Sequence, residues 1–275
     1  MTWLTYARAQ FLLSQRVYWK RIGIALTGTL VPLALGGFMP FQLRHGPAVD
    51  GAPAGVYALT GFLAFALFFT VYTLVNAVTS RRDALVYKRL RAASLPDSAI
   101  FAGEGAAASL PGLAVAVVLI AFGVVVLGAG APANPLLLVI GLLLGVAMFA
   151  MIAVGISGIL PSADTSMWIV TPVMVLFMFC SGIYAPLASL PGPLADVAVY
   201  LPMAPVVSIV RTAYLGTDFS SHGAIMGLRG AGAPLDFLGQ FQAAVGPLCI
   251  TLAWAVIGLS FARKYFRWDP KRSGR

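Results

Sequence analysis

An all-α integral membrane fold with six transmembrane helices is predicted by three features of this 275-residue sequence. Hydrophobic residues make up 60% of the chain and charged residues only 10%, whereas soluble domains are about 45–50% apolar. Mean hydropathy is +0.91. The run 136–160 carries no charge at all and exceeds the roughly 20 residues that cross a hydrocarbon core of about 30 Å. Because the apolar runs are continuous rather than alternating, backbone polar groups in lipid are satisfied by helices and not by a barrel.

Six spans are expected, at about 22–40, 55–79, 101–128, 135–160, 166–186 and 245–262. Twenty-one residues with four cations precede the first apolar run, which is not the form of a cleavable signal peptide. Fifteen of the 18 lysines and arginines lie before the first span, between the second and third, or after the sixth; only Arg44, Arg211 and Arg229 fall on the other side. Basic residues collect on the cytoplasmic side, so both termini and the 80–98 loop are expected in the cytoplasm of a multi-pass cell-membrane protein. The net charge of +9 is then a topology signal, and nucleic acid is not an expected partner. Cys180 and Cys249 both fall within spans and read as packing thiols.

The loop S-R-R-D-A-L-V-Y-K-R-L-R-A-A-S-L-P at 80–96 holds Arg81, Arg82, Lys88, Arg89 and Arg91 against one acid, Asp83. One reading is topology retention alone. The other is a short basic helix: Arg81 and Lys88, like Arg82 and Arg89, stand seven apart on one helical side, with Leu85, Val86 and Leu90 beside them, and Pro96 just beyond its end. Such a helix docks a soluble partner or anionic headgroups.

An ion-driven carrier needs ionisable groups at membrane depth. Glu104, one turn into the third span, reads as snorkelling to the surface, and Asp164 as the cap of the fifth helix. The chain has no G-x-x-x-x-G-K-[ST] loop, so any ATP hydrolysis belongs to another chain. Gly155-Ile156-Ser157-Gly158 looks like the G-x-S-G of intramembrane proteases, but the two histidines, His45 and His222, lie in outer loops, out of reach of Ser157. No metal-ligand cluster is present.

Pro186, Pro191, Pro193, Pro202 and Pro205 break residues 183–216 into pieces too short to span. They fit a re-entrant hairpin before the last span or an ordinary surface hairpin. In the second span Phe62, Phe65, Phe69, Tyr72 and Asn76 share one helical face, and Met174, Phe177 and Met178 enrich the fifth. Such walls suit bulky amphipathic solutes, or pack against lipid and neighbouring helices. G-L-L-L-G at 141–145 is a candidate helix-packing face.

Residues 81–96 resemble the first cytoplasmic loop of type-2 ABC export permeases, which reads basic-basic-acid followed by K-R-L-R and a proline-ended turn. Asp83 takes the acid's place and Lys88–Arg91 the K-R-L-R. Leu85 stands where glycine is frequent, and Ser94 where proline is frequent. S-G-I-Y-A-P-L-A-S-L-P at 181–191 and L-P-M-A-P-V-V-S-I-V-R-T-A-Y-L-G at 201–216 resemble the family's signature at the end of the fifth span.

The resemblance implies one permease domain over 1–275: an interfacial helix at 1–21, a coupling loop at 80–98, and an outer loop at 187–244 with short re-entrant helices. Aromatics Trp3, Tyr6, Phe11, Tyr18 and Trp19 alternating with Arg8, Arg16 and Lys20 suit a helix lying in the membrane plane. It implies as partners two ATP-binding-cassette ATPase subunits, a second permease (a homodimer or a related chain) and membrane lipid. No cofactor is expected on this chain; ATP and Mg belong to the partner ATPase. Arg81, Arg82, Asp83, Lys88, Arg89 and Arg91 become ATPase-coupling residues. Phe65, Phe69, Tyr72, Asn76, Met174, Phe177 and Met178 become the substrate path. Ser181, Gly182, Pro186, Pro202 and Arg211 become an outer gate, with Arg211 at the water boundary. The expected function is a non-enzymatic subunit of an exporter of drug-like, antibiotic or other amphipathic molecules. Export of lipid-linked glycans or polysaccharide, and a non-transporting membrane scaffold, are the alternatives.

Overall fold

The computed structural model describes residues 2–184, 186–219, 234–266 and 268. Arg229, His222, most of the Gly-rich 217–243 loop and the basic tail past Trp268 lie outside the described residues. Helix α1 spans Trp3–Lys20 and α2 Ile22–Gln42, with a π-helical turn at Leu26–Leu30. There follow α3 (Ala54–Asp83), α4 (Val86–Ala92), α5 (Asp97–Val125), α6 (Pro135–Ser157), α7 (Ala163–Phe179), α8 (Gly192–Ala198), α9 (Met203–Leu215) and α10 (Phe237–Tyr265). The described residues form an all-α membrane bundle.

Five of these helices, α2, α3, α5, α6 and α10, are long and apolar enough to cross a membrane. Helix α7, the expected fifth span, has 17 residues, or about 25 Å at 1.5 Å per residue, so it is a turn short of a full crossing. Helices α8 and α9 together are apolar enough for a sixth span but are bent by 78° at their break. Local chemistry sets several starts. Asn134 Oδ1 accepts from Leu137 N at 3.0 Å ahead of Pro135, and Asp236 Oδ1 accepts from Gly239 N at 2.8 Å, each satisfying an amide with no intrahelical partner. The cap of α7 is Ser162, not Asp164: Ser162 Oγ accepts from Thr165 N at 3.3 Å.

Helix α3 is the central pillar, with 94% of its apolar window buried; α2, α5, α6, α7 and α9 pack around it, and α10 packs on α6 and α9. Helix α9 is buried along its whole length. It approaches α6 closely because Gly141 and Gly145 have no side chain: a Cβ there would lie 2.5 Å from Ile209 and 2.9 Å from Val206. The G-L-L-L-G face therefore receives α9. Helix α1 reverses the soluble pattern. Its buried side is Ala7, Gln10 and Ser14, pressed against α5 at Gly103, while Trp3, Leu4, Leu12, Leu13 and Trp19 are exposed.

The two cysteines differ. Cys180 is buried with Leu187, Ala198, Val199 and Ala204, whereas Cys249 is exposed on α10.

Candidate functional site

The basic loop is not one helix. Helix α3 continues through Arg81, Arg82 and Asp83, then breaks at Leu85, whose φ of 58° is left-handed, and α4 starts afresh at Val86. The seven-residue pairing of Arg81 with Lys88 and of Arg82 with Arg89 is thereby lost. Arg81 and Arg82 at the end of α3 turn inward, whereas Asp83 and the α4 cations Lys88, Arg89 and Arg91 stay exposed.

Arg82 is fully buried. Its Nη1 donates to Ser157 O at 2.9 Å, and its Nη2 to Leu160 O at 2.9 Å and Pro161 O at 3.1 Å. These carbonyls close α6 and the turn after it, where helix C-termini run out of intrahelical donors. Asp83 Oδ2 accepts from Ala163 N at 3.1 Å, at the start of α7. Arg82 and Asp83 thus clip the α6–α7 turn onto the end of α3. The expectation that Arg82 belongs to an exposed docking side is corrected: its guanidinium is buried with three backbone carbonyls accepting from it, which offsets the loss of its water.

Arg81 turns the other way, into a cluster around Glu104 on α5. Glu104 Oε1 accepts from Arg81 Nη1 and, at 2.9 Å, from Gln10 Nε2 of α1; Oε2 accepts from Tyr87 Oη of α4 at 2.5 Å. Arg81 Nη1 also donates to Ser14 Oγ at 2.9 Å. Glu104 is 1% exposed, so it does not snorkel. One buried carboxylate therefore joins α1, α3, α4 and α5, with its charge balanced by Arg81 and its lone pairs occupied.

A third element completes this end of the bundle. Phe266 and Trp268, just past α10, pack with Tyr87 and Phe101: Tyr87–Trp268 centroids are 5.8 Å apart and Phe101–Phe266 4.7 Å. The Arg91 guanidinium lies 4.7 Å from the Trp268 ring and its Nε 3.3 Å from Asp97. Lys88 and Arg89 are exposed on α4. The aromatic clasp was missed from sequence; its one trace is the spacing of Phe266 and Trp268 right after the last span.

At the opposite end, Ser181, Gly182, Pro186 and Arg211 line a cavity of about 100 Å³ with Asp50 and Tyr57. Pro202 is not among its walls and instead precedes α9 as its N-cap residue. Arg211 is buried, not at the water boundary. It donates to Thr60 Oγ1 at 3.2 Å, Tyr57 O at 3.3 Å and Gly182 O at 2.9 Å, with its guanidinium 3.6 Å from the Tyr57 ring centroid. Burial raises the Asp50 carboxyl above its ordinary pKa, and the Arg211 charge opposes that rise.

The aromatic stripe of α3 is closed inside the chain. Phe65 and Phe69 are buried in an edge-to-face series, Phe62–Phe65 at 6.0 Å and Phe65–Phe69 at 5.3 Å, continued by Tyr72. Met174 is buried and Phe177 and Met178 half-buried on α7; Phe177 meets Phe68 at 5.7 Å. The expected path residues are thus packed inside the chain on α3 and α7, helices that meet at Phe68 and Phe177, and Asn76 borders a cavity. Ser157 is buried with its hydroxyl donated to Val154 O at 2.6 Å.

This is a multi-pass α-helical membrane protein whose one basic loop is bonded into the ends of its spans. The family model described as ABC-2 type transporter matches residues 3–215, and the chain belongs to that family, as the transmembrane subunit of a transporter. No curated protein matches it in sequence.

Proposed function

We propose that this chain is the permease of an ATP-driven exporter of amphipathic molecules in the cell membrane, with both termini cytoplasmic, and that α4 is its coupling helix. The observation that carries this reading is the Glu104 cluster. Through Tyr87 and Arg81 it ties α4 to α1, α3 and α5, so a force applied to the exposed Lys88–Arg89 side reaches three other helices through buried bonds. The partners are two ATP-binding-cassette ATPase subunits, which hold ATP and Mg, and a second permease. The whole of 1–275 acts as one permease domain, with α1 as the interfacial helix and 187–244 as the outer loop. The charge asymmetry of the loops supports the orientation.

Cargo is proposed to run along the α3–α7 seam, where Phe65, Phe69, Tyr72, Asn76, Met174, Phe177 and Met178 meet. Their soft, polarizable surfaces accept bulky apolar groups once the seam parts. Ser181, Gly182, Pro186 and Arg211, with Pro202 at the head of α9, act as the outer gate. Purification from native membranes is the test: a stoichiometric soluble ATPase should accompany the chain, and Lys88→Glu with Arg89→Glu should release it while the permease stays in the membrane. A chain that purifies without any ATPase would point to a scaffold. For orientation, a cysteine at Ser189 in a Cys180→Ser, Cys249→Ser background should react with an impermeant thiol reagent from outside. One at Ser94 should react only after the membrane is opened.

A further inference from the structure

A cavity of about 310 Å³ lies between α1, the start of α2, α3 and α5, at the basic end of the bundle. That volume is at the lower bound of small-molecule sites. Its polar groups gather at one level. Arg21 Nη1 donates to Ser80 Oγ at 3.2 Å, and Arg81 Nη1 donates to Ser14 Oγ at 2.9 Å. Each hydroxyl accepts from a guanidinium and retains its own proton to donate to an anion. Arg81 is balanced by Glu104, but Arg21 is exposed and no carboxylate pairs with it among the described residues. Glu104, Tyr18 and Asn76 also line the cavity, the Glu104 oxygens being held by Arg81, Gln10 and Tyr87; Val17, Ile24 and Ala77 form an apolar strip beside Thr73, which is 4% exposed.

The surroundings share this polarity. Residues 2–21 hold Arg8, Arg16, Lys20 and Arg21 and no acid. The π turn at Leu26–Leu30 flanks the cavity, with Tyr18 Oη 2.9 Å from Thr29 Oγ1 and 3.3 Å from Ala25 O. The site thus pairs a cationic, hydroxyl-bearing edge at Arg21, Ser80 and Ser14 with an apolar strip of Val17, Ile24 and Ala77. A ligand that fits both halves carries a phosphate and an acyl chain.

We propose that this cavity binds one anionic phospholipid of the leaflet on the basic side of the membrane. Its phosphodiester sits at Arg21 and Ser80, with Ser14 next to it, and the start of an acyl chain lies against Val17, Ile24 and Ala77. Guanidinium forks and hydroxyls are matched to phosphate oxygens, and anionic leaflets attract such juxtamembrane cations. The bound lipid would wedge α1 against the end of α3 beside the Glu104 cluster, making the seat of the interfacial helix depend on lipid charge.

The test uses the full chain purified in detergent and three additives: short-chain phosphatidylglycerol, short-chain phosphatidylcholine and inorganic phosphate. Phosphatidylglycerol should raise the melting temperature and stay bound in native mass spectra at one molecule per chain. Phosphatidylcholine and inorganic phosphate should do neither. Arg21→Gln should weaken phosphatidylglycerol retention at least tenfold. Ala77→Leu, which fills the apolar half without touching a charge, should do the same and guards against a folding defect in the first variant. Equal retention of the two lipids overturns the proposal, as does wild-type retention by both variants. An equal shift with inorganic phosphate alone reduces the site to a small-anion site and also overturns it. Because the readout is lipid binding, it is independent of whether an ATPase partner is found.

Discussion

Tyr87 and Glu104 share a hydrogen bond of 2.5 Å in which the phenol of the basic loop helix donates to the buried carboxylate of α5. The same carboxylate holds Arg81 of α3 and Gln10 of α1. Tyr87→Phe keeps the ring in the aromatic clasp and removes only the donor. It leaves one carboxylate oxygen short of a partner, at a cost of about 1–3 kcal/mol. The expected result is a folded permease that still binds its ATPase but transports poorly for the ATP consumed. The check is transport per ATP in proteoliposomes; an unchanged ratio would remove the cluster from the coupling route.

Arg82 and the pair Lys88 and Arg89 should separate cleanly in a stability assay. Arg82→Met leaves the carbonyls of Ser157, Leu160 and Pro161 without their donor, which should cost about 3 kcal/mol or more. Lys88→Glu with Arg89→Glu, on the exposed side of α4, should change the melting temperature little and act on ATPase binding instead. Thermal melts in detergent, read beside co-purification, give both values.

Leu85 occupies φ 58° and Ser94 φ 60°, where a side chain is disfavoured by about 1–2 kcal/mol. Leu85→Gly, the residue that similar loops carry there, should stabilise the chain by up to about 1 kcal/mol. Ser94→Pro, also common in similar loops, should destabilise it, because proline is held near φ −65°. Melting temperatures that moved the opposite way would mean that the turn adopts another geometry.

Trp268 meets Tyr87, Phe101 and Phe266 and carries Arg91 over its ring. Trp268→Ala should cost about 1–3 kcal/mol, since each aromatic pair contributes about 0.5–1.5 kcal/mol beyond burial. Trp268→Phe should restore most of it. The variant should also lower ATPase stimulation, because α4 loses one of its supports; protease protection of the loop would show the loosening directly.

Arg211→Leu removes the donor to Tyr57 O and Gly182 O. Expected are weaker expression and a lower melting temperature, in place of the selective effect of a charge at a water boundary. A variant with wild-type stability would show that water in the outer cavity satisfies those carbonyls.

Much of this molecule is decided by composition. Long uncharged runs in lipid form helices, so most of the spans were legible, but the last helix starts at Phe237, ahead of the expected 245, and the expected fifth span is a turn short of a crossing. The motifs at 81–96, 181–191 and 201–216, taken together and in order, pointed to the family. What the sequence could not settle was the facing of each polar group. Arg81 and Arg82 are neighbours in sequence, yet about 100° of helical rotation sends one to Glu104 and the other to the α6–α7 turn. Likewise, Glu104 reads as an exposed acid until α1 lies across it, and Arg211 as a boundary charge until α9 is sunk between α3 and α6. The Phe65–Phe69 stripe has the same spacing whether it faces lipid, cargo or a neighbouring helix; here it is buried inside the chain. Helix formation needs only local hydrogen bonds and apolar length, which the sequence carries. Burial of a charge depends on partners 23 to 154 residues away, and only the packed bundle brings those together.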